Sequence, residues 1–518
     1  MIHRVVLVYP ASRRYSGFLS THRLPGLVTA HAGLTIMAQI LQARGLSVRV
    51  LDEQITPFDD THLEGVDLLG VSVQTSWAPQ AYRIARRARR AGVPVVLGGV
   101  HATLNPDEAM LHADYVVRGE GEHALMELID ALGSGAELSS VRGLSFKEAG
   151  VVRHNPDRPP LSNEALDTLP FPRLDLIEGY TDYRRFPLNA VIYSTMLTRG
   201  CDQACTYCSI TRVFGRALRH RSVGNILEEL GSRFDPRRQF LFLMDDSLAV
   251  DRDFLKSFLE AMLRERLVPR LGWHSQLRAD VADDRELLDL MRRTNCTFVT
   301  CGFESVNARS LKSLGKGQSP QDVARAIARL REHNIVVNGF FMFGTDHDGP
   351  ESFGETVSFA RRSGCTLAGF MPLTPFPGTP TFEQLDREGR IFTKDWELYD
   401  VQHAVFTPRH LSPWELHWRT LACYPAFYTS MNVREQARLV LAKRPSPAMI
   451  AIAATWPFIK QLCWAREVAA NLDYLVALGQ YSHNNIHTFP DLGSRRLWAK
   501  DLVSGRALRR RRRAATAG

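Results

Sequence analysis

No stretch of this sequence reaches the roughly 18–20 uninterrupted apolar residues that cross a bilayer, so a chain built on membrane-spanning helices is excluded. A leader pattern is missing too: Met1-Ile2-His3-Arg4 runs straight into the strand-like Val5-Val6-Leu7-Val8. Cysteine is scarce, with 8 in 518 residues, which excludes a disulfide-stapled secreted scaffold. Reduced thiols without a leader lead us to expect a cytoplasmic protein. Charge of one sign does not dominate, since 64 Lys and Arg face 55 Asp and Glu, and much of the net +9 comes from Arg506 and the run Arg509 to Arg513. That end reads as a solvated tail; contact with anionic lipid is a weaker reading, and nucleic-acid binding weaker still. Hydrophobic residues at 45% and charged residues at 23% are ordinary globular values, and 518 residues exceed one core, so about two to four domains are expected.

Against that scarcity, three of the cysteines crowd into one run, Arg199-Gly200-Cys201-Asp202-Gln203-Ala204-Cys205-Thr206-Tyr207-Cys208. A four-iron cluster wants a ligand, usually a thiolate, for each iron. A CxxxCxxC loop supplies three and leaves one iron open to bind something else. The competing readings are half a zinc site, for which His220 is the nearest further ligand and has no motif spacing, and three unrelated core thiols. The remaining Cys296, Cys301, Cys365, Cys423 and Cys463 are scattered and read as small buried hydrophobes. The run resembles the signature of the radical S-adenosylmethionine (radical SAM) enzymes. That resemblance implies a [4Fe-4S] cluster on Cys201, Cys205 and Cys208, whose open iron is chelated by the amino and carboxylate groups of S-adenosylmethionine. It also implies reductive cleavage of the sulfonium to a 5′-deoxyadenosyl radical, with Tyr207 beside the adenine.

Residues 5–130 alternate short apolar runs with helical patterns, which argues for a doubly wound parallel sheet. The strands read as Val5–Tyr9, Ser47–Leu51, Leu68–Val73, Val93–Leu97 and Tyr115–Arg118, with helices at Leu34–Ala43, Ala78–Ala91 and Glu122–Leu132. Ligands of such sheets collect at the carboxyl ends of the strands, here the loops Pro10–Gly17, Gln74–Trp77, Gly98–Thr103 and Gly119–Glu122. By composition alone this is any flavodoxin-like or nucleotide-binding module. The succession Gly98-Gly99-Val100-His101-Ala102-Thr103, Pro106-Asp107-Glu108, Asp114-Tyr115-Val116-Val117 and Gly119-Glu120-Gly121-Glu122 resembles the cobalamin-binding domain found ahead of many radical SAM domains. It implies cobalamin contacts from Ser72, Gln74, Thr75, Gly98, Gly99, His101, Gly119, Glu120 and Gly121, with His101 at the corrin periphery; a degenerate domain without cobalamin is the alternative. The DxHxxG match at Asp60–Gly65 precedes the third strand, which puts it at the sheet edge away from the ligand.

We therefore expect a cobalamin-binding Rossmann-like domain over residues 1–135, then a proline-rich linker over 136–190 with a hairpin at Gly143–Phe146 and Val151–His154. From residue 191 to 410, strand, loop and helix recur six times, a partial (β/α)6 barrel of TIM type open on one side. Its strands read as Val191–Leu197, Gln239–Met244, Gly272–Ser275, Phe298–Gly302, Val336–Phe343 and Leu367–Pro372, with Ser222 and Ser319 as helix N-caps. A helical region over 411–505 and a basic tail over 506–518 complete the chain; Ala448–Ile459 is its most apolar piece, read as a packed or lipid-facing segment.

The family resemblance implies S-adenosylmethionine contacts at the strand ends: Asp245 and Asp246 toward the methionine ammonium, Gln276 and Arg278 toward its carboxylate, Glu304 and Ser305 toward the ribose, and Gly339 as space for the adenosyl group. Asp245-Asp246-Ser247 replaces the family's Gly-Gly-Glu, as is common in the cobalamin branch. Resemblance to the hopanoid methylase group extends through about residue 410 and implies a cobalamin-dependent methyltransferase acting on an unactivated carbon of a lipid or natural product. It further implies a small-molecule substrate and a reducing partner such as flavodoxin or ferredoxin. A ring-forming enzyme like the anaerobic magnesium-protoporphyrin ester cyclase is the alternative within the class. A cobalamin or iron–sulfur sensor is the alternative outside it.

Overall fold

The computed structural model describes residues 2–11, 31–180, 191–428, 464–465, 468–469 and 471–483. In the amino-terminal unit, β1 (Arg4–Tyr9), β2 (Ser47–Asp52), β3 (Leu68–Ser72), β4 (Val95–Gly98) and β5 (Tyr115–Val117) pair in parallel in the order β2-β1-β3-β4-β5. Val5 to Val8 are buried on both faces, as expected of a strand covered by helices on both sides. The helix Ala78–Arg90 buries Ala81, Tyr82, Ala85 and Ala88, which recur at helical spacing.

The expected linker starts later than residue 136. β6 (Leu144–Glu148) and β7 (Val151–His154) add antiparallel to β5, so the hairpin is the edge of the first sheet rather than part of a connector. The proline-rich crossing then folds back over the far edge, where Ile177 bridges Val50 of β2. His62 stands on a short turn ahead of β3, with its Nδ1 3.1 Å from the Asp59 amide nitrogen, at the amino edge of the sheet as its sequence position suggested.

The second sheet holds β8 (Val191–Thr195), which is followed by a separate two-stranded antiparallel ribbon, β9 (Thr198–Arg199) and β10 (Arg219–His220). Then come β11 (Gln239–Leu243), β12 (Trp273–Leu277), β13 (Cys296–Glu304), β14 (Val336–Phe343) and β15 (Leu367–Pro372). The six long strands are parallel and in chain order, with β8 and β15 as the two edges. Ser222 caps its helix by accepting from the Asn225 amide, and Ser319 forms a reciprocal capping box with Asp322. Side chains alternate: Leu241, Val299, Cys301, Phe303, Val337 and Phe341 face the helices in one continuous core. The opposite parity puts Phe242, His274 and Phe298 in the lumen as a stack, with ring centroids 4.9 and 4.1 Å apart.

Edge strand β15 is covered by the helix Pro413–Tyr428. The Tyr428 hydroxyl accepts from the Ala368 amide at 3.1 Å and donates to its carbonyl at 2.9 Å; Tyr424 does the same for Phe370 at 3.1 and 2.9 Å. Two phenols one helical turn apart thus stand in for a neighbouring strand. Trp396, Leu398, Tyr399 and Val405, beyond the barrel, belong to the core of the first unit, and the Trp396 indole donates to Glu108 at 2.7 Å. Among the described residues no helix is long and apolar enough to cross a membrane. The segment Ala448–Ile459 and the arginine tail lie outside the described residues.

Candidate active site

Both sheets present their carboxyl edges to one cavity of about 530 Å³. From the first sheet Ser72, Gln74, Gly98, Gly99, Gly119, Glu120 and Gly121 line it; from the barrel come Thr195–Arg199, Phe242, Met244 and Gln276. Gly99 is held at φ +89° with Val73 N only 2.9 Å from where a Cβ would sit, so the backbone itself forms the wall. Tyr9, His31 and Trp77 make an aromatic cluster on the same wall, with ring centroids 4.1 and 4.6 Å from Tyr9. His31 Nδ1 accepts from Leu34 N at 3.1 Å as a helix cap, so its proton sits on Nε2. Burial lowers the pKa of His31 to about 4 and keeps it neutral.

Three expectations on the cobalamin side change. His101 does not line the cavity: its ring is fully buried, 3.1 Å from the Tyr82 hydroxyl and packed edge-on against Trp396. Thr75 is buried in the turn after β3 and is not a lining residue. Glu120 reaches the cavity wall, but its carboxylate is taken by Arg199, Arg219 and the Leu161 amide.

The cysteine loop joins β9 to β10 at the top of the barrel. Gly200 enters it at φ +90°, where a Cβ would lie 2.4 Å from the Ala217 carbonyl oxygen. Thr206 N donates to Leu314 O at 3.0 Å, and Thr381 N donates to Thr206 O at 3.1 Å, so neighbouring barrel loops hold the thiols in place. All three thiols are half-buried. Burial raises the Cys201 pKa, with Arg278 pulling the other way, and pushes the Cys208 thiol up to about 12. An iron centre that takes thiolate ligands offsets that cost. No His, Cys, Asp or Glu group of three among the described residues converges on a single metal ion. A cubane makes no such demand, because each thiolate binds a different iron.

Beside the loop, Glu304 Oε1 accepts from the Tyr207 hydroxyl at 2.9 Å and from Lys316 Nζ at 3.0 Å. Glu304 ends β13 at φ +63°, a left-handed conformation that turns its carboxylate back over Gly302. Arg278 acts electrostatically on Cys201 and Lys316 on Cys205, two cations beside the loop, while Asp202 and Asp246 act on the thiols with the opposite sign. Arg278 also lies 3.4 Å from Asp280 through Nε. Asp246 is in the lumen parity, and burial raises its pKa to about 6.

Gly339 departs from expectation, and Asp245 does so in part, since its Oδ1 is taken by the backbone while its buried Oδ2 has no hydrogen-bond partner among the described residues. Asp245 Oδ1 accepts from Leu197 N at 3.0 Å, from Thr198 N, and from Thr198 Oγ1 at 2.7 Å, so it anchors the backbone ahead of the cysteines. A Cβ on Gly339 would strike the Phe303 ring at 2.8 Å and Cys365 Sγ at 2.9 Å, which places Gly339 against the helix layer; Asn338 and Phe340 have the lumen parity. Ser305 Oγ accepts from Asn307 N at 3.0 Å and shapes the turn after β13.

The radical SAM superfamily model matches residues 195–360, and a B12 binding domain model matches residues 25–129. The bacteriochlorophyllide d C-12(1)-methyltransferase of Chlorobaculum tepidum is 30% identical over 73% of this chain and 78% of its own length. The chain belongs to the radical SAM superfamily, in the branch with a B12 binding domain. Its cofactors are a [4Fe-4S] cluster, S-adenosylmethionine and cobalamin. The anaerobic magnesium-protoporphyrin IX monomethyl ester cyclase of Rubrivivax gelatinosus is 26% identical over 70% of this chain and 66% of its own. The methyltransferase TsrM of Kitasatospora setae, solved with cobalamin and a [4Fe-4S] cluster bound, shares the fold at a TM-score of 0.64 and 18% identity, over 91% of this chain and 100% of that one.

Sequence reading of this radical SAM enzyme missed Lys316, His31, Arg199 and Arg219. Lys316 carries no motif spacing from Glu304, and the arginines reach their partners across 79 and 99 residues.

Proposed function

We propose that this radical SAM enzyme transfers a methyl group to an unactivated carbon of a small organic substrate. The observation that carries the reading is the single cavity onto which the cobalamin-side sheet edge and the barrel mouth both open. When bound, the cluster with S-adenosylmethionine supplies a hydrogen-abstracting 5′-deoxyadenosyl radical, and cobalamin supplies a transferable methyl group.

The chain's own residues bind, orient and exclude water. Cys201, Cys205 and Cys208 hold the cluster. Arg278 would offer its planar fork to the methionine carboxylate, and Asp246 would accept from the ammonium. Tyr207 and Lys316 fix the Glu304 carboxylate at the strand end, where it would accept from the ribose hydroxyls. The apolar Phe242, Met196 and Met244 keep the space between the two edges dry. The cavity wall of Gly98, Gly99, Gly119 and Gly121 lets the corrin approach the backbone. A one-electron donor of the flavodoxin or ferredoxin kind would supply the cluster's electron, and an apolar substrate of lipid or natural-product type would suit the lining.

Anaerobic incubation of reconstituted protein with S-adenosylmethionine, reductant and candidate substrates tests the reading. Methyl transfer yields both 5′-deoxyadenosine and S-adenosylhomocysteine. The cyclase relative motivates the second reading, in which 5′-deoxyadenosine forms without S-adenosylhomocysteine. Protein that cannot be loaded with cobalamin rules methyl transfer out.

A further inference from the structure

The cysteine loop is the connection of a very short hairpin, and that hairpin is gripped from the other unit. Arg199 of β9 and Arg219 of β10 are direct partners across the ribbon. Arg199 reaches Glu120 Oε1 at 3.0 Å and Glu122 Oε1 at 2.7 Å. Arg219 Nη1 reaches both Glu120 oxygens at 2.9 Å and the Leu161 carbonyl at 2.8 Å; its Nη2 donates to Phe214 O at 2.6 Å. Glu120 Oε2 also accepts from Leu161 N at 2.6 Å. All four charged side chains are nearly closed to solvent, at 4–13% exposure, so solvent does little to screen the network.

One end of this network is the Gly119–Glu122 loop on the cavity edge of the first sheet. The other is the stem that carries Cys201, Cys205 and Cys208, with Arg199 two residues before the first of them. A buried ion pair returns little net stability compared with well-packed apolar residues of the same volume, so stability alone is a weak account of this one. Arginine forks do fix direction, because each guanidinium satisfies a carboxylate in one plane and one orientation. We propose that Arg199 and Arg219 are positioning residues which, through Glu120 and Glu122, set the separation and orientation of the cluster relative to the cobalamin site. The inference rests on the two-cofactor reading above.

The test uses full-length protein loaded with cluster and cobalamin and reduced so that both centres are paramagnetic, with their magnetic interaction read by pulsed electron paramagnetic resonance. Wild-type protein should give one narrow interaction. Arg219→Met lies outside the cavity lining; it should take up both cofactors in wild-type amounts yet broaden or shift that interaction, and Arg219→Lys should recover it in part. A purely structural role would lower cofactor content without changing the interaction in the loaded fraction, and that result overturns the inference. If Arg219→Met does not fold, Arg219→Gln, which keeps one amide donor at the same place, is read by the same two outcomes. Wild-type protein that takes up no cobalamin overturns the proposed function and this inference with it, whereas an unchanged interaction in a loaded variant overturns the inference alone.

Discussion

Lys316 is buried against Glu304 and within electrostatic reach of Cys205 and Arg278. Lys316→Met leaves the Glu304 carboxylate without its cation, and breaking a buried pair on one side costs about 3–5 kcal/mol. We expect a lower melting temperature, a more negative cluster reduction potential and weaker S-adenosylmethionine binding, checked by calorimetry, redox titration and equilibrium binding. Asp246 gives a pH signature. Burial raises its folded-state pKa to about 6, so it is a charged acceptor for an ammonium only above that value. Affinity for S-adenosylmethionine should therefore fall as pH drops through about 6, and Asp246→Asn should bind weakly with that step removed. For the unliganded fold the sign is opposite. A carboxyl whose folded pKa is raised stabilises the chain when protonated, and that contribution is lost as pH rises from the ordinary carboxylate range through about 6. Cys201, Cys205 and Cys208 were legible because coordination chemistry dictates their spacing. Lys316 was not, because a salt bridge that closes across the short helix Ala308–Ser313 leaves no periodic trace.

At the scale of elements, Tyr424 and Tyr428 serve as the missing neighbour of β15. Tyr428→Phe keeps the ring and leaves the Ala368 amide and carbonyl unpaired in a buried setting, for about 1–3 kcal/mol. The Tyr424→Phe, Tyr428→Phe double variant should also aggregate on warming, as exposed sheet edges do, which light scattering would show. Gly200→Ala should cost more. The position needs φ +90°, and the added Cβ meets backbone at 2.4 Å, so iron content after reconstitution should fall sharply while far-ultraviolet circular dichroism stays near wild type. The strands and caps of both sheets were readable from runs of Val, Leu and Phe and from Ser222 and Ser319, since local rules decide them. Gly339 shows where that reading stops. One residue of parity separates the lumen from the helix layer, and only the register Cys301 to Gly339 to Ala368 shows which side it takes. The hairpin Leu144–His154 is legible in the sequence as a hairpin but not as the edge of the first sheet, because joining an existing sheet edge is a long-range event.

At the scale of the whole molecule, the segment that follows the barrel is buried in the core of the first unit. Trp396, Leu398, Tyr399 and Val405 lie beyond the barrel in sequence yet are buried among Tyr82, Ala85 and Met110 of the first unit. Expressed alone, residues 191–428 should expose these side chains and be insoluble or dye-binding, while co-expression with residues 1–180 should recover soluble material, checked by size-exclusion chromatography. The grip of Arg199 and Arg219 on Glu120 carries the same logic into ancestry. A recombination event that exchanged the corrin-holding half for that of a distant cousin would strand two guanidinium groups in a dry seam, so a protein engineer grafting one half must carry the acidic loop along with it.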